Sequence, residues 1–218
     1  NVRRAIQRAE DGAGRVRGSG ELLAVTKSRG IDDITQAIAT GCVHFAESYV
    51  QEAVEKIQAI EDPSLIWHFI GPIQSNKTQL IARHFDWVHS VDRFKVAERL
   101  NRQRSTDKRP LQVCIQVNIT GEVSKSGVSA GELTNLLQQM RPLKHLQVRG
   151  LMTVPRKSDS IDLQRQCFLQ LNALLRQVNQ QGARLDSLSM GMSGDYLLAI
   201  EQGASMVRLG SAIFGRRK

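Results

Sequence analysis

Met206-Val-Arg-Leu-Gly-Ser-Ala-Ile-Phe-Gly215 is a short apolar strand that runs through a glycine into the first turn of a helix. Met206, Val207 and Leu209 supply the strand, and Gly210 and Ser211 open the helix. Gly210 lets the backbone approach an anion closely, while the free N–H groups of Ser211 and Ala212 at a helix start point towards it. This is the pattern of a phosphate cradle. Arg208 interrupts the strand, and taken alone it reads equally well as an arginine on the surface of an edge strand.

The same strand, turn and helix unit recurs upstream. Leu22 to Thr26 is an apolar run bounded by Gly20 and Gly30, as in a parallel strand buried on both faces, and Lys27 stands at its end. A helix begins at Asp32 and Asp33 and stops at Gly41. Further strands are expected at Cys42 to Phe45, Ile66 to Ile70, Trp87 to His89, Leu111 to Val117, Leu146 to Leu151 and Leu185 to Leu188. The intervening helices are expected over Tyr49 to Ile60, Asn76 to Arg83, Asp92 to Arg104, from Ser129 onward, Ile161 to Gln180 and Asp195 to Glu201. A first helix over residues 1 to about 17 has apolar positions too sparse for a deep core face and reads as an outer cap. About eight such alternations in a little over 200 residues point to an α/β fold closed into a single (β/α)8 TIM barrel rather than an open sheet. No low-complexity linker or shift in composition divides residues 1–218, so one domain is expected.

Composition narrows the function classes. A hydrophobic share of 41% and a charged share of 23% are those of a globular domain. No apolar run approaches a transmembrane length, and nothing near Asn1 resembles an apolar signal segment, so a cytoplasmic protein with no membrane partner is expected. Cys42, Cys114 and Cys167 form no C-x-x-C pair and sit in apolar stretches, as reduced buried thiols do. His44, His68, His84, His89 and His145 show no metal-ligand spacing, so no metal is expected. The net charge of +9 comes partly from arginines 3, 4, 8, 15 and 17 on the first helix, and partly from a group between Arg93 and Arg109. With 5% aromatic residues and no base-stacking motif, these charges read as solvated helix faces rather than a nucleic-acid surface.

In a barrel every loop that follows a strand lies on one rim, and phosphate sites are frequently built after strands seven and eight. Met190-Gly-Met-Ser-Gly194 follows the seventh strand and Gly210-Ser211 the eighth. Closure sets the first strand beside the eighth, which brings Lys27 next to Arg208. Lys27 shares strand parity with Leu23 and Val25, so all three share one face of the sheet. Desolvation beside a cation would free its amine as a nucleophile. A nucleophilic lysine beside a phosphate cradle suggests a Schiff base with pyridoxal 5′-phosphate (PLP). Gly71-Pro-Ile-Gln-Ser-Asn-Lys-Thr78 approximates a nucleotide phosphate loop. Asn76 replaces its second glycine and Pro72 removes a backbone donor, so this loop reads as part of the rim, with Asn76 capping the next helix.

Leu22-Leu-Ala-Val-Thr-Lys27, Trp67-His-Phe-Ile-Gly-Pro-Ile-Gln-Ser-Asn-Lys77, Ser124-Lys-Ser-Gly127, Arg149-Gly-Leu-Met152, Ser189-Met-Gly-Met-Ser193 and Val207-Arg-Leu-Gly-Ser-Ala-Ile-Phe-Gly215 together resemble the YggS/PROSC family of pyridoxal phosphate homeostasis proteins. The resemblance covers nearly the whole chain. It implies the N-terminal barrel of fold-type III enzymes such as alanine racemase, without their second domain. It also implies that Lys27 forms the Schiff base, that Ser193, Gly210 and Ser211 hold the phosphate, and that Arg208 faces the pyridine nitrogen. The family's Phe-Gly-Glu-Asn after the second strand is here Phe45-Ala-Glu-Ser48, so Ser48 stands where an asparagine usually contacts the cofactor. The expected function is PLP binding in vitamin B6 homeostasis with little or no catalysis, by a monomer that supplies PLP-dependent apoenzymes. The alternative is a small PLP-dependent amino-acid racemase.

Overall fold

A computed structural model of the chain describes residues 2–122, 126–155 and 160–215. Its parallel strands are β1 (Glu21–Val25), β2 (His44–Glu47), β3 (Ile66–Phe69), β4 (Trp87–Val91), β5 (Leu111–Gln116), β6 (Leu146–Met152), β7 (Ser187–Met192) and β8 (Met206–Leu209). They pair in sequence order, and β8 closes against β1 with Leu23 opposite Arg208. Closure removes every sheet edge, so Arg208 cannot be the exposed arginine of an edge strand. The helices are α1 (Val2–Gly12), α2 (Ile31–Ala39), α3 (Val50–Ile60), α4 (Thr78–His84), α5 (Phe94–Gln103), α6 (Ala130–Met140), α7 (Ile161–Gln180), α8 (Tyr196–Glu201) and α9 (Ser211–Phe214).

The strands are apolar on both faces because each face has its own core. Ala24, Phe45, Phe69, Val88, Ile115 and Val207 point outward and pack with the buried faces of the helices. Leu23, Val25, Ala46, Cys114, Met152 and Met206 fill the inside of the barrel. All three cysteines are free and buried, and burial raises the Cys114 thiol to about 12. None of the described helices is long and apolar enough to cross a membrane.

Several boundaries differ from expectation for identifiable reasons. α1 ends at Gly12, so Arg15 and Arg17 lie beyond it. Arg15 instead donates to the Ile200 and Ala204 carbonyl oxygens at 2.6 and 2.9 Å, and Arg17 pairs with Asp11 at 2.8 Å. Part of the basic stretch is thus engaged in holding α1 to the α8 end of the barrel. The residues capping α4 and α5 are Lys77 and Arg93, neither with a side-chain cap bond, so Asn76 and Asp92 do not take those roles. Ser129 does open α6, in a reciprocal capping box with Glu132. β2 starts at His44 rather than Cys42 and runs on to Glu47. β7 starts at Ser187 rather than Leu185 and runs to Met192. These extensions bring in two buried polar residues, Glu47 on the outward face with Phe45 and bonded to Lys56 of α3, and Ser189 facing into the barrel beside Arg208.

Candidate functional site

At the carboxyl ends of the strands, the loops after β1, β7 and β8 enclose a cleft of about 330 Å³ lined by Lys27, Arg29, Ser193, Arg208, Gly210 and Ser211, together with Ile70. Its described lining holds three cations and no carboxylate. The site residues expected from sequence therefore meet in one place, with one exception. Ser48 does not line the cleft; its backbone lies against Gly71, where an added β-carbon would sit 2.2 Å from the Ser48 carbonyl oxygen.

Lys27 is half-buried just past the end of β1, and the peptide on each side of it is clamped. The buried ammonium of Lys56, reaching from α3, donates to the Thr26 carbonyl oxygen at 2.7 Å and to Glu47 and Glu52 at 2.6 Å each. Thr26 donates its hydroxyl to Glu47 at 2.7 Å, and the Ser28 N–H donates to Glu52 at 2.6 Å. Ser28 has φ of 60°, a left-handed conformation unusual for a residue with a β-carbon, and the Glu52 bond holds it there. Burial pushes the Glu47 carboxyl above its ordinary range, while the bonds from Lys56 and Thr26 pull it back. Sequence reading missed this cluster because Glu47 resembles a residue outside the strand. Its signal is the spacing of Glu52 and Lys56, one helical turn apart on α3.

Arg208 is only 4% exposed. One guanidinium nitrogen donates to Ser189 Oγ at 2.7 Å and another to the Thr153 carbonyl oxygen at 2.9 Å, so β7 and the end of β6 both anchor it. Burial lowers its pKa to about 10, with Asp195 acting in the opposite sense. It is therefore a cation at neutral pH, able only to donate.

The two glycine-rich loops are tied together by Ser193, whose Oγ accepts from the N–H groups of Gly210 and Ala212 at 3.3 and 3.2 Å. The Ala212 N–H expected to face an anion thus meets the Ser193 hydroxyl. Asp195 accepts from the Met192 N–H at 2.6 Å and fixes the start of this turn. A β-carbon at Gly194 would meet nothing within 4 Å, and one at Gly210 would meet only Val25, at ordinary contact distance. Glycine here leaves bare backbone beside three cations, which suits a compact anion. Ser124 and Lys125 lie outside the described residues. A larger groove of about 760 Å³ opens at the other end of the barrel beside Met140, Leu146 and Leu185, with Arg141 and Arg184 as its charged groups. It joins no nucleophile to an anion-binding loop.

The family model described as alanine racemase, N-terminal domain, matches residues 1–218. Among curated relatives, a pyridoxal phosphate homeostasis protein of Pasteurella multocida is 48% identical over 221 residues, covering 100% of this chain and 93% of the relative. One of the same name from Escherichia coli K12 is 42% identical, covering 99% and 94%. The structure of PipY from Synechococcus elongatus PCC7942 with PLP bound superposes with a TM-score of 0.85 at 36% identity, covering 97% of this chain and all of that one. Alanine racemase from Corynebacterium glutamicum shares the fold, with a TM-score of 0.70 at 20% identity. It covers 99% of this chain, which spans 61% of the racemase. A barrel closed in strand order, with a lysine after β1 and glycine turns after β7 and β8, thus matches the model over its whole length, and the chain belongs to the alanine racemase N-terminal domain family.

Proposed function

We propose that the chain binds pyridoxal 5′-phosphate through a Schiff base on Lys27 and serves PLP homeostasis, with little or no catalysis of its own. The observation that carries this reading is the convergence of a clamped lysine, a buried arginine and two glycine-rich turns on one cationic cleft. It is supported by the name shared by relatives at 42–48% identity. When bound, PLP supplies an aldehyde that an amine can capture and a ring that can withdraw electrons.

The chain's own residues divide the work. Lys27 provides the attaching amine, and its clamped neighbours fix where that amine stands. Ser193, Gly210 and Ser211 take the phosphate. Arg208 faces the ring nitrogen as a pure donor and disfavours a proton there, which weakens the ring as an electron acceptor. The partly exposed rim at Lys27, Ser193 and Ser211 suits exchange of PLP with a recipient apoenzyme.

Phosphate capture should dominate affinity, because bonds from fixed donors to a charged group contribute roughly 1.5–3 kcal/mol each. Gly210→Val is expected to weaken PLP binding by about tenfold or more. The fold has room for its first carbon, and circular dichroism of the variant separates loss of the cradle from loss of the fold. Absorbance titrations with PLP and with pyridoxal test this together, and equal affinity for the two ligands would remove the phosphate from this site.

Turnover of amino acids is expected to stay near that of free PLP. Racemisation by two bases needs a proton-transferring group on each face of the reacting carbon, and losing one costs about 10²–10⁴-fold. Among the described lining residues only Lys27, Arg29 and Arg208 are ionisable, and neither Tyr49 nor Tyr196 is among them. An assay with alanine and serine checks this. Turnover at about 1 s⁻¹, abolished by Lys27→Ala, would make the protein an enzyme.

A further inference from the structure

Three histidines on successive strands meet inside the barrel. His44 Nδ1 lies 3.0 Å from His68 Nε2, His68 Nδ1 lies 2.9 Å from His89 Nε2, and His89 Nδ1 lies 2.7 Å from Ser189 Oγ. Ser189 is the residue that accepts from Arg208. At the far end His44 Nε2 lies 3.7 Å from the Glu21 carboxylate, at the mouth of the barrel opposite the cleft. The line therefore runs through the barrel from a partly exposed carboxylate to the arginine of the candidate site. Ser189 and His89 are fully buried and His68 is 1% exposed.

The chemistry of the two ends gives the line a direction. Arg208 can only donate, so Ser189 Oγ accepts from it and has one proton to give. Among the described residues the only acceptor in reach of that proton is His89 Nδ1. His89 then carries its proton on Nε2 and donates to His68, and His68 in turn carries its proton on Nε2 and donates to His44. His44 Nε2–H is left facing Glu21, which as a carboxylate can only accept. Run the other way, the line would set a lone pair of His44 against that carboxylate and strand the buried Ser189 hydroxyl proton, a costly arrangement. Donor-only and acceptor-only termini thus select the same set of tautomers.

We propose that His44, His68, His89 and Ser189 form a directional hydrogen-bond relay that positions Arg208, and that protonation of His44 at the opposite mouth loosens that hold. The coupling rests on the reading that Arg208 faces PLP. Because Nε2 of His44 already bears a proton, a second can go only to Nδ1, the atom that accepts from His68. Taking it up breaks the relay at its first link. Burial lowers the His44 pKa from its usual value and Arg3 on α1 pushes in the same direction, while Glu21 on β1 and Asp86 before β4 push upward. His68 is faced by His44, His89 and the stacked Trp87 ring, and His89 by His68, Trp87, Ser189 and Arg208. The relay is intact at neutral pH and breaks on the acid side.

The test uses His44 variants, since this end of the relay is partly exposed. In His44→Gln the side-chain amide can accept from His68 with its oxygen and donate to Glu21 with its nitrogen, and it does not titrate; His44→Phe offers no acceptor at any pH. PLP dissociation constants are measured by absorbance between pH 5 and 8, where the titration of the lysine attachment is common to all three proteins. Relative to His44→Gln, the wild type should bind equally at pH 7.5 and about 3–10-fold more weakly at pH 5, and His44→Phe should be weaker by that factor throughout. Nitrogen-15 NMR of the ligand-free protein should show His68 and His89 protonated on Nε2. Parallel pH profiles for all three proteins, or Nδ1 protons on either ring, would overturn the proposal. A wild type that fails to bind PLP would overturn the functional reading and the coupling with it, while the NMR still decides the relay.

Discussion

Lys27→Ala is expected to abolish the imine absorbance of the PLP-loaded protein and to weaken PLP binding by roughly two orders of magnitude, about 2.7 kcal/mol. The size follows from position rather than from the amine alone. Lys56 and Glu52 fix the peptides on both sides of Lys27, so the amine is presented to the cleft and attachment becomes an effectively intramolecular step. The fold should hardly notice the substitution. Lys27 Nζ has no hydrogen-bond partner among the described residues, so its removal strands no buried group and should shift stability by no more than about 0.5 kcal/mol. Lys27→Arg separates the two contributions, because it keeps the charge and cannot make the imine. Circular dichroism and absorbance titration of both variants check the expectation, and retention of the imine band in either would move the attachment elsewhere.

Acid should destabilise the fold well before carboxylate protonation does so. His68 and His89 are fully buried, which holds His68 well below its ordinary pKa and takes His89 to about 3. In the unfolded chain both bind protons near pH 6.5. Between there and about pH 3 the unfolded state carries more protons than the folded one, so stability falls as pH falls. For His89 alone the loss between pH 7 and pH 5 is about 2 kcal/mol, and His68 adds to it in the same direction. Glu47 and Asp195 act the other way, since burial raises their carboxyls and the folded state gains protons on them first. The expected net loss is about 2–4 kcal/mol, a large part of the roughly 5–15 kcal/mol that stabilises a domain. Urea unfolding at the two pH values measures it. A protein equally stable at both would mean that one or both rings are protonated in the folded state.

The barrel was legible because each strand carries its own pair of apolar faces between glycines and helix starts. α7 and β8 fall where the sequence puts them, at Ile161–Gln180 and Met206–Leu209. What the sequence conceals is buried polarity on the two faces of the sheet. Glu47 and Ser189 fall just outside the expected strands, yet they are buried because Lys56 and Thr26 meet Glu47 Oε1, and His89 and Arg208 meet Ser189 Oγ. Caps at Asn76 and Asp92 failed because the chain turns one residue later than their side chains can serve. Lys27, Ser193, Arg208, Gly210 and Ser211 were legible because each stands beside a glycine or a strand end. His44, His68 and His89 were not, since 24 and 21 residues separate them and only the register of β2, β3 and β4 makes them neighbours.

Covalent capture of PLP at Lys27 is read by borohydride reduction of the PLP-loaded protein followed by peptide mapping. A single pyridoxyl label is expected, on Lys27, absent from Lys27→Ala and sharply reduced in Gly210→Val. A label on Lys77 or Lys125 instead, or no label at all, would contradict it.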